Sequence, residues 1–496
     1  MPSHPFWVAQ RHDQSWNDES VLSAINWLVS FVEHADWSRR LEAVRSAFRA
    51  AQQPWAGGGL SPLFDPQDAM VWYVFQANAY ACSSDREDWF EPASFRIAPL
   101  FRQLGQLLPL LQNVTGIGER IERLMTSGRS QPDQGLFELL VAGAYRCRGW
   151  KTIEFVRERP GIAKTHEFNV TAGRRKWAVE CKRANRSGYE AQEYVRGQVL
   201  AKQVHDLCRM RNCSLVLEVV FKVELSEIDD DYLLSRSKAF LKDSRRARWV
   251  DPQSHGQVRH VDWRLAQAVL EYDDVFFGSS RMIELLVGAY AANADHTVEA
   301  DWTPARRSPL HATAMSRASV VSWRSASEDA ARRKARHFKS MVAEATQQLP
   351  DDRPGVIHVG YEARDGNSVD KLRHELNAAE MLTFEPRGSR LRWVYGNYLS
   401  PEHTNAPNES CALSETTATY KIGKHRTPLR YRVIYCLMLD KAGLVRTGDS
   451  VALVESRKPC HCIAPGQPLL AASPASEPNS CFLERRLSAL SHINRQ

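Results

Sequence analysis

The sequence predicts an α/β protein, with an α-helical domain before its central sheet and an α/β extension after it. Residues 133–182 contain a helical pattern followed by three short strand patterns. A second unit, a helix at about 328–349 followed by a strand at 356–361, has the same character. In contrast, residues 1–130 show helical periodicity without strand patterns. At 496 residues, the chain is long enough for two or three domains.

Residues 1–130 are expected to form the α-helical domain. Apolar residues recur at helical spacing in 18–52, and leucine-rich helices are expected within 96–126. Between them, the aromatic-rich segment 67–83 predicts a buried helix, whose aromatic side chains we interpret as core residues. This region contains no recognisable catalytic motif.

The central domain is expected to cover residues 131–224 and to begin with a helix. Residues 133–149 have Asp133 as a candidate N-cap and a glycine at the C-terminal end. Within this helix Glu138 interrupts an apolar run. A carboxylate among apolar side chains is costly unless it is paired or coordinated, so Glu138 is a candidate functional residue.

A β-hairpin is predicted at the end of this segment. Strands 165–171 and 176–182 flank a four-residue link at 172–175 that contains a glycine. If Thr171 pairs with Lys176, alternate side chains make one face of the hairpin mostly apolar and place the charges on the other.

The charged face places Glu167 opposite Glu180, with Lys182 two residues farther along. Two carboxylates in this position destabilise a sheet unless both are solvated or a cation lies between them. Because magnesium prefers oxygen ligands, we predict that Glu138, Glu167 and Glu180 bind Mg²⁺ or Mn²⁺. Lys182 would then orient the attacking water or stabilise negative charge in the transition state. The alternative is a solvated face of an edge hairpin.

This combination of elements resembles the PD-(D/E)XK nuclease superfamily, whose restriction-endonuclease-like core is a mixed β-sheet flanked by helices. Glu180-Cys181-Lys182 is similar to the (D/E)-x-K element, and Glu138 is similar to the acidic residue of the preceding helix. Glu167 stands where the family usually has aspartate, and His166 stands where it often has proline. The longer Glu167 side chain would require the metal or the strand spacing to adjust.

The resemblance also implies the next units of the core. Helix 190–211 is expected to follow, and then strand 214–224 at the centre of the sheet. In related nucleases this helix can carry a glutamine or lysine that supports the site. Gln198 and Lys202 lie four residues apart on one face of the helix and are the candidates here.

The rest of the chain divides into a basic, partly helical insertion at 225–315, an α/β extension of the core at 316–400, and a β-containing C-terminal region with a mobile linker at 401–496. The net charge of +7 permits nucleic-acid binding without requiring it. We assign nucleic-acid contacts to Arg183, Arg186, Arg245 and Arg246. Basic side chains also cluster at 236–248 and 317–339. For these clusters, a solvated helix face is the alternative to contact with phosphates.

The sequence therefore predicts a metal-dependent nuclease that hydrolyses phosphodiester bonds. The resemblance implies DNA as substrate and a bacterial defence or mobile-element setting, with RNA left open. The alternative is a catalytically inactive nuclease-fold protein that binds nucleic acid or a protein partner. Ten scattered cysteines and the lack of a long apolar run lead us to expect a cytoplasmic protein without membrane spans. A homo-oligomer is also left open.

Overall fold

The computed structural model describes residues 18–56, 62–82, 88–157, 165–184, 188–291, 294–306, 308–362, 375–386, 388–403 and 411–422. The predicted contact residue Arg186 and the predicted C-terminal linker lie outside the described residues. The described chain is mixed α/β, with two mixed sheets. Among these residues, no helix has both the length and the apolar character needed to cross a bilayer.

The N-terminal part of the described chain is helical, as predicted. Its helices are α1 (Glu19–Val29), α2 (His34–Ala56), α3 (Ala69–Ala81), α4 (Glu91–Leu111) and α5 (Ile117–Met125). The predicted core aromatics of α3, Trp72, Tyr73 and Phe75, are buried. These helices share one hydrophobic cluster with the first sheet described below, so their apolar faces cover that sheet.

The first sheet begins after helix α6 (Pro132–Cys147), with strands β1 (Thr152–Phe155), β2 (Phe168–Ala172) and β3 (Arg175–Ala184). Neighbouring strands are antiparallel. Thr171 pairs with Lys176, so the predicted hairpin register is confirmed.

The chain then builds a second sheet. Its elements are α7 (Gly188–Arg211), β4 (Leu215–Phe221), α8 (Tyr232–Lys242), β5 (Arg248–Val250), β6 (Ser254–His260), α9 (Trp263–Leu270), β7 (Val275–Phe276), α10 (Ser280–Val287), β8 (Asp295–Ala305) and β9 (Ser308–Ser325). The strand order is β5-β6-β4-β9-β7, and β8 also pairs with β9. Separate hydrophobic clusters cover its two faces, one with α7 and α8 and the other with α9 and α10.

This topology corrects the prediction that strand 214–224 lies at the centre of the first sheet. The strand exists as β4, but it pairs with β6 and β9 in the second sheet. Its apolar, β-branched sequence indicates burial on both faces, which is equally satisfied in either sheet. Residues 318–323, which the sequence assigned to the α/β extension of the core, are likewise part of β9 in the second sheet.

The first sheet is completed by α11 (Glu328–Thr346), β10 (Gly355–Glu362), β11 (Leu391–His403) and β12 (Cys411–Lys421). The strand order is β1-β2-β3-β10-β11-β12, and β10 runs parallel to β3. The helix-to-strand unit predicted to extend the core sheet therefore does so. It supplies the helix and the central strand that were expected from residues 190–224.

Helices cover both faces of the first sheet. Val179 and Cys181 of β3 belong to the cluster on the α6 side, whereas Ala178 and Ala184 pack with α11. Because side chains alternate along a strand, Glu180 and Lys182 share the face that α11 covers.

Candidate functional site

The candidate site lies where β2 ends and β3 continues. β3 pairs with β2 only as far as Val179, whereas it pairs with β10 as far as Ala184. On the side that β2 leaves open, Gln134 of α6 donates from Nε2 to the Cys181 carbonyl at 2.9 Å and accepts from the Arg183 backbone N–H at 2.8 Å. A side chain thus satisfies backbone groups that a neighbouring strand would otherwise bind.

Glu138 lies one helical turn after Gln134 and is fully buried. Gln134 Nε2 donates to Glu138 Oε1 at 2.7 Å. The other carboxylate oxygen of Glu138, Oε2, lies 3.0 Å from Arg120 Nε and 3.7 Å from Arg123 Nη2. The buried carboxylate is therefore compensated by groups from two helices, as its apolar surroundings require.

Arg120 bridges two of the three predicted metal ligands. Besides its contact with Glu138, its Nη2 contacts Glu167 Oε2. The arginine is buried on α5, and its guanidinium carbon lies 5.2 Å from the centroid of the Phe155 ring. Sequence reasoning missed Arg120, although it occupies the apolar face of α5 together with Ile117, Ile121 and Leu124.

Glu180 and Lys182 interact as predicted neighbours on one face of β3. Lys182 Nζ lies 3.1 Å from Glu180 Oε1 and 3.8 Å from Glu344 Oε1 of α11. Glu180 is fully buried, and its Oε2 has no hydrogen-bond partner. Burial raises the pKa of Glu180 to about 8, Lys182 opposes this rise, and the charge of Glu138 adds to it.

A glutamine contacts Glu180 and Lys182, but it comes from the segment after α11 and not from the helix that the sequence predicted. Gln348 follows α11, and with its amide oriented to satisfy both neighbours it accepts from Lys182 Nζ at 2.6 Å and donates to Glu180 Oε1 at 3.3 Å. The predicted residues lie on α7, which packs against the second sheet. There Gln198 is exposed and Lys202 Nζ bonds to Asp206 Oδ2 at 2.6 Å, so the assignment to this helix is corrected.

The three predicted carboxylate ligands do not form one cluster. Among the described residues, no group of three or more His, Cys, Asp or Glu side chains is arranged to hold a metal ion. The ladder between β2 and β3 ends at Phe168, so Glu167 does not pair with Glu180, and it contacts Arg120 instead. Glu138 and Glu180 are both buried, and the unpartnered Oε2 of Glu180 is the oxygen that a cation would satisfy.

A cleft of about 180 Å³ opens next to Arg120. It is lined by Gly116, Glu119, Arg120, Arg123, Phe155, Val156 and Arg157. Burial, with a smaller contribution from the charge of Arg120, lowers the pKa of Arg123, and Glu138 opposes this effect. Arg157 is exposed, and its Nε lies 3.4 Å from Glu119 Oε2. Three arginines thus border an opening beside the buried carboxylates.

The residues assigned to nucleic-acid contact are dispersed. Arg183 is half-buried on β3, where its backbone binds Gln134. Arg245 and Arg246 are exposed in a 3₁₀ turn after α8, beside the second sheet, and Arg245 Nε bonds to Asp243 Oδ1 at 3.0 Å. Arg120 and Arg123, which lie close to Glu138, both line the cleft.

Comparison with protein-family models, with curated proteins and with solved structures finds no match for this chain. Two features of the molecule bear on its function: the strand order of the first sheet and the contacts of Glu138, Glu180 and Lys182.

Proposed function

We propose that this chain is a metal-dependent nuclease of the PD-(D/E)XK type, with a restriction-endonuclease-like core, that hydrolyses phosphodiester bonds in DNA. The topology supports this proposal, because helix α6, antiparallel strands β1 to β3, helix α11 and the parallel strand β10 follow in the expected order. The observation that carries it is the buried Glu180 carboxylate, which has one unsatisfied oxygen and a lysine two residues away.

Glu138 and Glu180 would hold the divalent cation, and Glu167 would join them when Arg120 no longer binds it. Glu138 and Glu180 are buried, and the charge of Glu138 adds to the rise in the pKa of Glu180, so a bound cation would relieve an unfavourable interaction. Bound Mg²⁺ or Mn²⁺ would supply Lewis-acid polarisation of a phosphoryl oxygen and a more acidic water.

The chain's own side chains would position the reactants. Lys182 is largely buried, and Gln348 accepts a hydrogen bond from its ammonium, so the position of the ammonium is restricted. There it would orient the attacking water or stabilise negative charge that develops on the phosphate. Arg123 and Arg157 line the cleft and would bind phosphate oxygens of the strand.

Digestion of supercoiled DNA, linear DNA and RNA, with chelator, magnesium or manganese, would test this proposal. We expect the wild type to cleave only with metal and Glu180→Gln to be inactive. The matched control is Glu218→Gln, which changes a half-buried strand glutamate of the second sheet that accepts from Gln257 Nε2 at 2.7 Å. This control should retain wild-type activity. Cleavage that persists in chelator, or in Glu180→Gln, would contradict the proposal.

The second candidate is a nuclease-fold protein that binds nucleic acid or a protein partner without cleaving. The contacts of Arg120 favour it, because this arginine neutralises Glu138 and Glu167 without a metal. Under this alternative, the wild type would shift DNA in a gel or bind a partner, but would leave the substrates intact in both magnesium and manganese.

A further inference from the structure

We propose that Arg120 is an internal competitor of the metal ion. In the metal-free protein its guanidinium neutralises Glu138 and Glu167, and it must leave these carboxylates when a divalent cation binds. This inference rests on the proposed function, because it concerns the same carboxylates. It adds a residue from the N-terminal helices to the control of the site.

The contacts of Arg120 are those expected of a substitute for a cation. Its Nε lies 3.0 Å from Glu138 Oε2, and its Nη2 contacts Glu167 Oε2. The two carboxylates belong to different elements, since Glu138 is on α6 and Glu167 precedes β2. One positive side chain therefore joins two acidic groups that the sequence assigns to a common metal.

The charge balance makes joint occupancy unfavourable. In the ionised form that would bind a metal, Glu138, Glu167 and Glu180 carry three negative charges, and Arg120 and Lys182 carry two positive charges. Adding a divalent cation would leave one excess positive charge in a buried site, whereas loss of Arg120 from the site would restore neutrality. An uncompensated buried charge is strongly destabilising, so the metal and Arg120 oppose each other.

The structure also provides a place for the displaced side chain. Arg120 already lines the cleft of about 180 Å³ that Arg123 and Arg157 share. A rotation of its side chain would move the guanidinium from the carboxylates into this opening. Metal binding would then place a third positive group where a phosphate of the substrate is expected, so metal and substrate would bind cooperatively.

Manganese binding to Arg120→Gln, measured by calorimetric titration and by thermal melts, tests the inference without an activity assay. The matched control is Arg317→Gln on β9, since the side chains of Arg120 and Arg317 are each 6% exposed and Arg317 Nη2 bonds to Asp301 Oδ1 at 2.7 Å. We expect Arg120→Gln to bind manganese about tenfold more tightly than wild type. Arg317→Gln should bind it with wild-type affinity.

The melts give a second signature. In chelator, both variants should melt below wild type, because Arg120→Gln leaves the buried Glu138 without its arginine and Arg317→Gln removes the bond between a buried guanidinium and the exposed Asp301. Manganese should restore the midpoint of Arg120→Gln and leave that of Arg317→Gln depressed. If Arg120→Gln does not fold, Arg120→Lys replaces it, because lysine keeps the charge but lacks the second donor group that bridges both carboxylates. It should also bind manganese more tightly than wild type.

The outcomes separate the two proposals. If wild type and the Arg120 variant bind manganese equally well, Arg120 does not compete and this inference is overturned, while the proposed function stands. If neither protein binds manganese, the proposed metal site itself is absent and both proposals fail.

Discussion

The two sheets of this protein have the same arrangement at their centres but different chemistry. Each has a central parallel pair, β3 with β10 and β4 with β9, and an antiparallel neighbour, β2 or β6. In the second sheet β6 pairs with β4 along its full length, from Leu215 to Phe221. In the first sheet the ladder between β2 and β3 stops at Val179, five residues before β3 ends at Ala184.

Among the described residues, the early end of β2 distinguishes the first sheet from the second. Glu218 of β4 is partly exposed and accepts a hydrogen bond from Gln257 of the adjacent strand. Glu180 of β3 lies beyond the ladder and is fully buried with an unsatisfied oxygen. Where β2 ends, Gln134 of α6 binds the free backbone groups of β3, and on the α11 face of the same strand Glu180 keeps one oxygen without a hydrogen-bond partner.

The largest expected effect is on catalysis, and it contrasts a lysine from each region. Lys182→Ala should reduce DNA cleavage by about 10² to 10³-fold, because it removes a positioned charge that acts in the transition state. Manganese binding should be nearly unchanged, since the ammonium is not a ligand. Lys202→Ala, on the exposed face of α7, should cleave at the wild-type rate. Equal rates in all three proteins would show that Lys182 has no catalytic role.

The local elements of this fold could be predicted from sequence, because they depend on residues close together in the chain. The hairpin register, with Thr171 opposite Lys176, follows from the loop length and the alternation of side chains. Sheet membership could not be predicted in this way. Gly355 pairs with Ala178 and Leu215 pairs with Ser319, and no local pattern specifies partners so distant in sequence.

The candidate site divides in the same way. Glu138, Glu180 and Lys182 were predicted, because their spacing within one helix and one hairpin is a local feature. Arg120, Gln134 and Gln348 were not predicted as site residues, since only Gln134 belongs to that segment and its contacts depend on where β2 ends. The arginine had a detectable signal, a charged residue on an apolar helix face, but the sequence does not identify its acidic partners.

The second prediction concerns two glycines that allow close packing. A Cβ atom at Gly360 would lie 2.6 Å from the Phe137 ring of α6, and one at Gly197 would lie 2.2 Å from the Trp323 ring of β9. Alanine at either position should therefore destabilise the protein by about 1–3 kcal/mol in urea unfolding. Gly360→Ala should also reduce cleavage, because α6 carries Glu138, whereas Gly197→Ala should not. An activity loss in Gly197→Ala would show that the sheets are coupled.

The third prediction uses two buried histidines, His358 on β10 of the first sheet and His205 on α7, which packs against the second sheet. Burial lowers the pKa of His205 to about 4 and the pKa of His358 to about 3. Both folded-state pKa values lie below the unfolded value of about 6.5. The folded state with neutral histidines is therefore fully stable above pH 6.5, and its free energy of unfolding decreases as the pH falls below that value. Each histidine should reduce the unfolding free energy by about 1.4 kcal/mol per pH unit, or about 2 kcal/mol between pH 6.5 and 5.

Urea unfolding of His205→Gln and His358→Gln across this pH range measures the effect as a slope, independently of any loss at neutral pH. In each variant, the free energy of unfolding should fall less steeply with decreasing pH than in wild type, because one buried histidine no longer contributes to the slope. If the sheets unfold in separate transitions, His358→Gln should change only the transition of the first sheet. If neither substitution changes the pH slope of the unfolding free energy, burial in the folded state does not lower the pKa of either histidine.

The smallest expected effect is a change in thermal stability when a strand glutamate is replaced by glutamine, and it has opposite signs in the two sheets. Without metal, Glu180→Gln removes one of two interacting buried carboxylates. The free energy of unfolding of this variant should therefore equal that of wild type or exceed it by up to about 1 kcal/mol. Glu218→Gln weakens a charged hydrogen bond with Gln257 and should be destabilising by a similar amount. These shifts are measured by thermal melts in chelator.

Manganese completes the comparison, because a ligand that binds only the folded state raises its stability by mass action. Wild type and Glu218→Gln should gain stability from millimolar manganese, and Glu180→Gln should lose most of that gain. A solvated or purely structural Glu180 would produce a different result, in which the wild-type midpoint does not move with metal and Glu180→Gln melts lower in chelator. The sign of the Glu180→Gln shift in chelator therefore distinguishes a carboxylate kept for a cation from one kept for its pairing with Lys182.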